Sequence, residues 1–270
     1  MIKKLLRYQT ISSFDYQWRN LEEGDAMLSN KYFSENVVTF LTEEMLAINK
    51  TWFPRREILD AGCGQGRWTS AFLELKSKVT AIDASQAALD FMKGFFDAPN
   101  NNNLRLIKEN ILRLSDKTKD RKYDLVYSFG VLHHTGDLKK AIKNVADLVA
   151  EDGLLFLYLY GRKSHSIFSR LKLELIRLAL LPFPFNQKVS ILKLLRPNYD
   201  THQAFDLLSP IINVRSSFDE IKDILNKLGF TEVIQTIDST ELFVRANRES
   251  CSARPYFRQL ATPPYWFEKY

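Results

Sequence analysis

The residues most able to do chemistry lie in two short runs. In the first, an apolar stretch, Glu57 to Leu59, ends in Asp60-Ala61-Gly62-Cys63-Gly64-Gln65-Gly66, an acid followed by glycines at every second position. Without a Cβ the backbone can turn sharply and a ligand can lie against it. The next segment, Arg67 to Lys76, reads as a helix, whose first N–H groups lack intrahelical partners and point at the same spot. In the second run, the apolar strand from Tyr123 stops at Ser128-Phe129-Gly130 and is followed by Val131-Leu132-His133-His134. An imidazole titrates near neutral pH and suits proton transfer. The chain has four histidines, His133, His134, His165 and His202. His133 and His165 are the candidate proton acceptors, with Tyr160 as a positioning hydroxyl.

Strands and helices must bring these groups together. Lys78 to Ser85 reads as a buried strand ending in acid, and Asp83 stands 17 residues after Gly66. That is near the ~20 expected of a ribose-binding carboxylate in a strand–helix–strand unit. Asp83 could accept from both ribose hydroxyls, or it could cap the helix from Ser85 to Phe96, a role open to Ser85 as well. Leu104 to Ile111 is a third strand, a helix covers Asp137 to Ala150, and Gly153 to Tyr160 is a fully apolar fifth strand after a Glu151-Asp152 turn. This alternation with short links predicts a parallel, doubly wound sheet, with ligands beyond the carboxyl ends of its strands. Ser217 to Leu228 reads as a closing helix stopped by Gly229, followed by a hairpin, Phe230 to Ile237 and Glu241 to Ala246.

The glycine spacing separates two cofactor families. A dinucleotide fingerprint, G-x-G-x-x-G, would need its third glycine where Arg67 stands. The G-x-G-x-G form after an acid resembles motif I of the class I S-adenosylmethionine (SAM) methyltransferases. The Tyr123–His134 run resembles a segment of their small-molecule and quinone-type branch. The resemblance covers roughly residues 55–160 and 217–246. It implies an α/β, Rossmann-like seven-stranded sheet, mostly parallel with a C-terminal antiparallel hairpin, carrying a helical cap insertion. By the same resemblance the cofactor is SAM, with S-adenosylhomocysteine as product. Asp60, Gly62, Gly64 and Gly66 would cradle it, Asp83 and Ala84 would meet the ribose, Asn110 and Ile111 the adenine, and Ser128 and Gly130 would close the fourth strand's end. Asn110 could instead simply turn the chain. The activity implied is methylation, on oxygen or carbon, of a small-molecule or lipid- or sugar-like acceptor. A catalytically degenerate binding protein and an RNA methyltransferase are the alternatives. RNA would call for a basic groove with aromatic stacking, and no DNA partner or metal site is indicated.

The expected organisation is a helical lead-in or lid (1–54), a cofactor-binding core (55–160), the insertion (161–216), the end of the core (217–248) and an aromatic tail (249–270). In the lead-in, Lys31 to Trp52 reads as one amphipathic helix, and Tyr16 and Trp18 either cover the cofactor or anchor the N-terminus. In the insertion, Ile167 to Leu181 is helical and apolar nearly all round, with its polar positions on one stripe; Gln187 to Leu195 is a second helix. From Gly161 to Asp200 there are eight Lys/Arg and two Asp/Glu, an excess equal to the whole chain's +6. A cap over the site, a dimer or partner surface, and a peripheral membrane face through 163–195 all remain open. The tail's Thr262-Pro263-Pro264-Tyr265-Trp266 echoes an amino-methyltransferase motif at the wrong place in the chain and reads as an aromatic strap. Two cysteines without a framework, and no apolar run of the ~18 residues that span a bilayer, suggest a soluble, cytoplasmic protein.

Overall fold

Seven strands form one sheet: β1 (Glu57–Ala61), β2 (Lys78–Asp83), β3 (Leu104–Lys108), β4 (Tyr123–Phe129), β5 (Val149–Leu159), β6 (Glu232–Gln235) and β7 (Leu242–Asn247). Their order is β3-β2-β1-β4-β5-β7-β6. Pairings from β3 through β5 are parallel, and β7 runs antiparallel to both β5 and β6. The structure, a computed structural model, describes residues 2–21, 31–164, 166–195 and 200–256. The ten helices described are α1 (Ile2–Asn20), α2 (Lys31–Thr39), α3 (Arg67–Glu74), α4 (Gln86–Phe95), α5 (Asp116–Lys119), α6 (Leu138–Ala146), α7 (Ile167–Leu180), α8 (Phe185–Leu195), α9 (Thr201–Leu208) and α10 (Phe218–Lys227).

The central strands are apolar on both faces because helices cover both. Successive residues point to opposite sides: Ile58, Leu125, Leu154 and Phe156 pack with Phe53, Trp68 and Phe72, while Leu59, Val126, Leu155 and Leu157 pack with Ile142, Val145, Ile221 and Leu225. Strand order reverses between β1 and β4, so a crevice opens beyond their carboxyl ends. The doubly wound sheet with its closing hairpin is as expected, and Ser217 and Glu220 form a reciprocal cap at the start of α10.

Several expectations fail locally. The helix expected over Lys31–Trp52 is three pieces: α2, a wide π-helical stretch Phe40–Leu46, and a short 3-10 turn Lys50–Trp52. Burial of Phe40, Leu41, Met45 and Leu46 follows the pattern, but the Thr42 hydroxyl donates to the Val38 carbonyl at 2.8 Å and Ala47 turns to φ 50°, which interrupts the regular helix. The Glu151-Asp152 pair is a bulge inside β5 rather than a turn before it, since Tyr123 already pairs with Val149 and the register shifts before Leu125. Strand β3 stops at Lys108, short of Asn110. Helix α9 was not foreseen. The strap 257–270 and the 262–266 echo lie outside the described residues.

Asp60 is a buried acid within β1, 2% exposed. Its Oδ2 accepts from the Thr69 hydroxyl at 2.7 Å, which fastens β1 to the first turn of α3. Burial pushes its carboxyl up from the ordinary 3.8 to about 7; Thr69 opposes the rise and the nearby Asp83 adds to it. A raised folded pKa means the native state holds a proton that the unfolded chain has lost. Stability therefore falls as pH rises from about 4 to about 7. Asp60→Asn keeps the acceptor for Thr69 and removes the titration. Urea unfolding across that range should show the wild type losing about 1.4 kcal/mol per pH unit at the steepest, with the variant's slope flatter.

At the exit of β5, a Cβ on Gly161 would stand 1.8 Å from the Thr240 carbonyl oxygen, a backbone atom that cannot swing aside. Gly161→Ala should cost about 1–3 kcal/mol, read as a lowered urea midpoint. An unchanged midpoint would mean the β5 exit and the 238–241 loop are not held together.

Candidate active site

The crevice at the strand reversal is a cavity of about 590 Å³, within the size range of small-molecule sites. Its floor is the glycine loop, Gly62 to Gln65, with Arg67 and Trp68. The loop has left-handed backbone at Gly62 and Gly64, φ 84° and 52°, where a side chain would be strained. A Cβ on Gly64 would also approach Trp18 Cζ2 to 2.9 Å. The next strand over supplies Asp83, Ala84 and Ser85; beyond β3 come Glu109, Asn110 and Ile111; β4 and β5 give Phe129, Gly130, Val131, Tyr158 and Tyr160.

Asp83 is the hinge of this arrangement. Its Oδ2 accepts from the Gly64 N–H at 3.0 Å and its Oδ1 from the Ser85 N–H at 2.8 Å. Burial raises its pKa, while the N–H groups of Ser85, Gly64 and Ala84 pull it back. The cap of α4 is Ser85, whose hydroxyl accepts from the Ala88 N–H at 3.2 Å, so Asp83 is left to the cavity. Asn110 turns the chain, its Oδ1 accepting from the Leu112 N–H at 2.9 Å, and it lines the cavity.

Helix α1 lies across the opening, with Arg7, Thr10, Ile11, Phe14 and Trp18 on the cavity, spaced to share one face. The two aromatic candidates divide the work. Trp18 sits over Gly64 and its carbonyl accepts from Gln65 Nε2 at 3.1 Å, whereas Tyr16 packs on Phe185 and Phe205. From the insertion, α9 brings His202, Gln203, Asp206 and Leu207 to the cavity, and Arg215 follows. The seam between α1 and the α9 region is polar: Ser13 and Ser209 hydroxyls meet at 2.7 Å, and Gln17 Nε2 donates to the His202 carbonyl at 3.2 Å. Those polar positions blur the hydrophobic period of α1 and hide its role from the sequence.

Four of the expected site residues stand behind the wall instead of on it. Asp60 is engaged by Thr69. Gly66 begins α3 with φ 90°, where a Cβ would meet Phe96 and Met92, so its service is packing. The Ser128 hydroxyl donates to the Ala61 carbonyl at 2.7 Å and ties β4 to β1. His133 is fully buried, with Tyr160 stacked on it at a centroid distance of 3.9 Å, and burial together with His134, Arg215 and Arg177 holds it neutral. His165 lies outside the described residues.

Of the adjacent pair after β4, His134 is the ring that reaches the cavity, where His202 of α9 also stands. The His134 Nδ1 lies 2.6 Å from the Ile212 carbonyl oxygen; a carbonyl only accepts, so Nδ1 carries the proton and Nε2 the lone pair. Burial lowers its pKa, against the pull of Asp206 and the Ile212 carbonyl, and Nε2 is buried without a hydrogen-bond partner among the described residues. Tyr160 donates its hydroxyl to Asp206 Oδ2 at 2.8 Å and burial keeps the phenol protonated. That bond ties the end of β5 to α9. Among the described residues no group of three or more His, Cys, Asp or Glu could hold a metal ion.

Residues 59–155 match a family model described as a methyltransferase domain. The chain is 26% identical over 162 residues to the ubiquinone biosynthesis O-methyltransferase of Rickettsia akari (strain Hartford), covering 59% of this chain and 60% of that protein. It is 28% identical over 119 residues to the malonyl-[acyl-carrier protein] O-methyltransferase of Acetivibrio thermocellus, covering 43% and 39%. The matches thus span about 60% or less of the length of these curated relatives. Among solved structures, magnesium protoporphyrin IX methyltransferase from Synechocystis PCC 6803 with bound SAM shares the fold, with a TM-score of 0.55 at 16% identity, covering 92% of this chain and 97% of that one. The glycine motif lies inside the region that matches the methyltransferase domain, and the sheet around it shares the fold of the SAM-bound enzyme.

Proposed function

We propose that this protein transfers a methyl group from SAM to an oxygen or carbon of a small-molecule acceptor. The observation that carries the reading is the Asp83 carboxylate at the cavity wall, bonded to the Gly64 and Ser85 N–H groups. Each carboxylate oxygen has two acceptor sites, so the pair keeps acceptor capacity for a ribose hydroxyl. Asn110 and Ile111 border the neighbouring part of the wall, where an adenine ring would be met by an amide and an apolar side chain. Gly62 and Gly64 leave backbone exposed to the rest of the ligand.

When bound, SAM supplies an electrophilic methyl on a sulfonium cation. The chain's part is placement and exclusion of water. Tyr158 and Tyr160 form an aromatic side to the acceptor space, Arg215 and Glu241 an ion-paired one at 3.5 Å, and His134 is the proton acceptor for a hydroxyl or acidic carbon. The O-methyltransferase names of the curated relatives favour oxygen. Cys63 and Cys251 are both free, which suits a reducing compartment such as the cytoplasm.

Calorimetric titration with S-adenosylhomocysteine tests the reading. The wild type should bind it, and Asp83→Ala should weaken binding by about 1–3 kcal/mol, the scale of a lost charged hydrogen bond. A wild type that takes up neither SAM nor its product would end the proposal. A variant with unchanged affinity would remove Asp83 from the ribose.

A further inference from the structure

Helices α7 and α8 bury Leu173, Leu180 and Leu192 against Phe205 and Leu208, and their outer faces are apolar as well. On α7 the residues at i, i+3, i+7 and i+10, Phe168, Leu171, Leu175 and Leu178, face outward, with Phe168 84% exposed. The charged Arg177 is turned inward and is 3% exposed. Its guanidinium donates to the Leu207 carbonyl at 2.9 and 2.8 Å and pairs with Glu174. Helix α8 repeats the arrangement. Lys188 is 2% exposed, its ammonium 5.1 Å from the Phe185 ring centroid, while Leu194 and Leu195 stand out in solvent. Leu181 and Phe183, in the turn between the helices, are exposed as well. A water-facing helix pair would carry polar residues on that outer face, with its leucines confined to the core. An apolar exterior of this extent marks a surface that something covers.

The charges around it say what. Between Ile167 and Leu195 there are five Lys/Arg and one acid, Glu174, and that acid is engaged by Arg177. Lys172 and Lys193 are exposed beside the apolar residues. A second copy of the chain, joined through the same face, would bring this uncompensated positive charge against itself. An anionic bilayer satisfies both features, taking the leucines and phenylalanines into its acyl boundary and the lysines at its headgroups. Helix α7, with 14 residues, is about 21 Å long and lies in such an interface instead of crossing it. Among the described residues no helix is long and apolar enough to span a membrane.

We infer that the α7–α8 face is a peripheral docking surface for an anionic lipid bilayer. The inference does not depend on methyl transfer, since none of its exposed residues lines the cavity. It does bear on the acceptor's source. Leu207, whose carbonyl holds Arg177, and its neighbour Asp206 line the cavity, so the docked face and the acceptor space are joined through α9. An acceptor with a long apolar chain would reach the site from the bilayer on that side.

Co-sedimentation of the full chain with phosphatidylcholine vesicles, with and without added phosphatidylglycerol, is the test. The wild type should pellet with the phosphatidylglycerol vesicles and release as salt is raised. Leu171→Ser with Leu175→Ser should cut binding by about tenfold or more, the scale of losing two buried leucines. Lys172→Gln and Lys193→Gln should each cut it by about fivefold. Thermal unfolding should be unchanged in all of these, because the residues replaced are exposed. Failure of the wild type to bind phosphatidylglycerol vesicles would overturn the inference, as would undiminished binding by the double-serine variant. So would light scattering that shows a dimer which the double-serine variant dissolves, because the covering surface would then be a second copy.

Discussion

One hydrogen bond organises the site: the Gly64 N–H donating to the carboxylate of Asp83 at 3.0 Å. It joins the loop leaving β1 to the end of β2, two segments that the sheet already holds side by side through Ala61 and Ile82. The Gly62 and Cys63 N–H groups both donate to the Ile82 carbonyl, at 2.8 and 3.1 Å, so the loop is bound to β2 at three donors in a row. That leaves the backbone of the glycine loop turned back toward its neighbour strand and open on the cavity side. Trp18 closes over it at a spacing that tolerates no Cβ on Gly64. Strand, loop and lid therefore meet at one residue, and its glycine is required twice, for its φ and for its missing side chain.

What the sequence could reveal tracked the kind of physics involved. Unbroken apolar stretches in β1, β4 and β5, and the acid at the end of β2, are properties of short runs, and they located the sheet and put Asp83 at a strand end. Direction within an irregular turn is not such a property. His133 and His134 are adjacent in a short 3-10 turn, and one ring goes behind Tyr160 while the other lines the cavity. No spacing rule chooses between them. Ser128 and Asp60 carry the polar atoms of a binding site but are consumed by Ala61 and Thr69. A polar residue at a strand end can serve its neighbours as readily as a ligand, and only the packed structure shows which.

The lead-in and the insertion were harder still, because each departs from the usual partition. Helix α1 buries Thr10, Ser13 and Gln17 and exposes Ile2, Leu5 and Tyr8. Helix α7 buries Arg177 and exposes Leu171, Leu175 and Leu178. Pattern reading assumes that polar means outside, so it could recognise the helix in α7 but not its orientation. The buried polar side chains of α1 pair with residues some 200 positions away, such as Ser209 and Ile212. Long-range pairing of that kind leaves no local trace.

Charge separates the two ends of the molecule's chemistry. The chain is +6 overall, which by itself would suggest an anionic ligand. Beneath the glycine loop the sign is reversed: after burial, the forces raising the Cys63 thiol's pKa are Asp83 and then Asp60. Glu109, held by Ser115 and Thr118, adds a further carboxylate beside Asp83 on the cavity wall. A cationic ligand lowers the cost of keeping Asp60 and Asp83 ionised side by side, and a neutral one does not. The positive excess instead sits in the insertion, where eight cations and two acids lie between Gly161 and Asp200. Net charge describes the exterior of this protein and misdescribes its site. The cavity lining carries Asp83, Glu109, Asp206 and Glu241 against Arg7, Arg67 and Arg215, and in a low-dielectric crevice these charges are screened far less than the lysines outside.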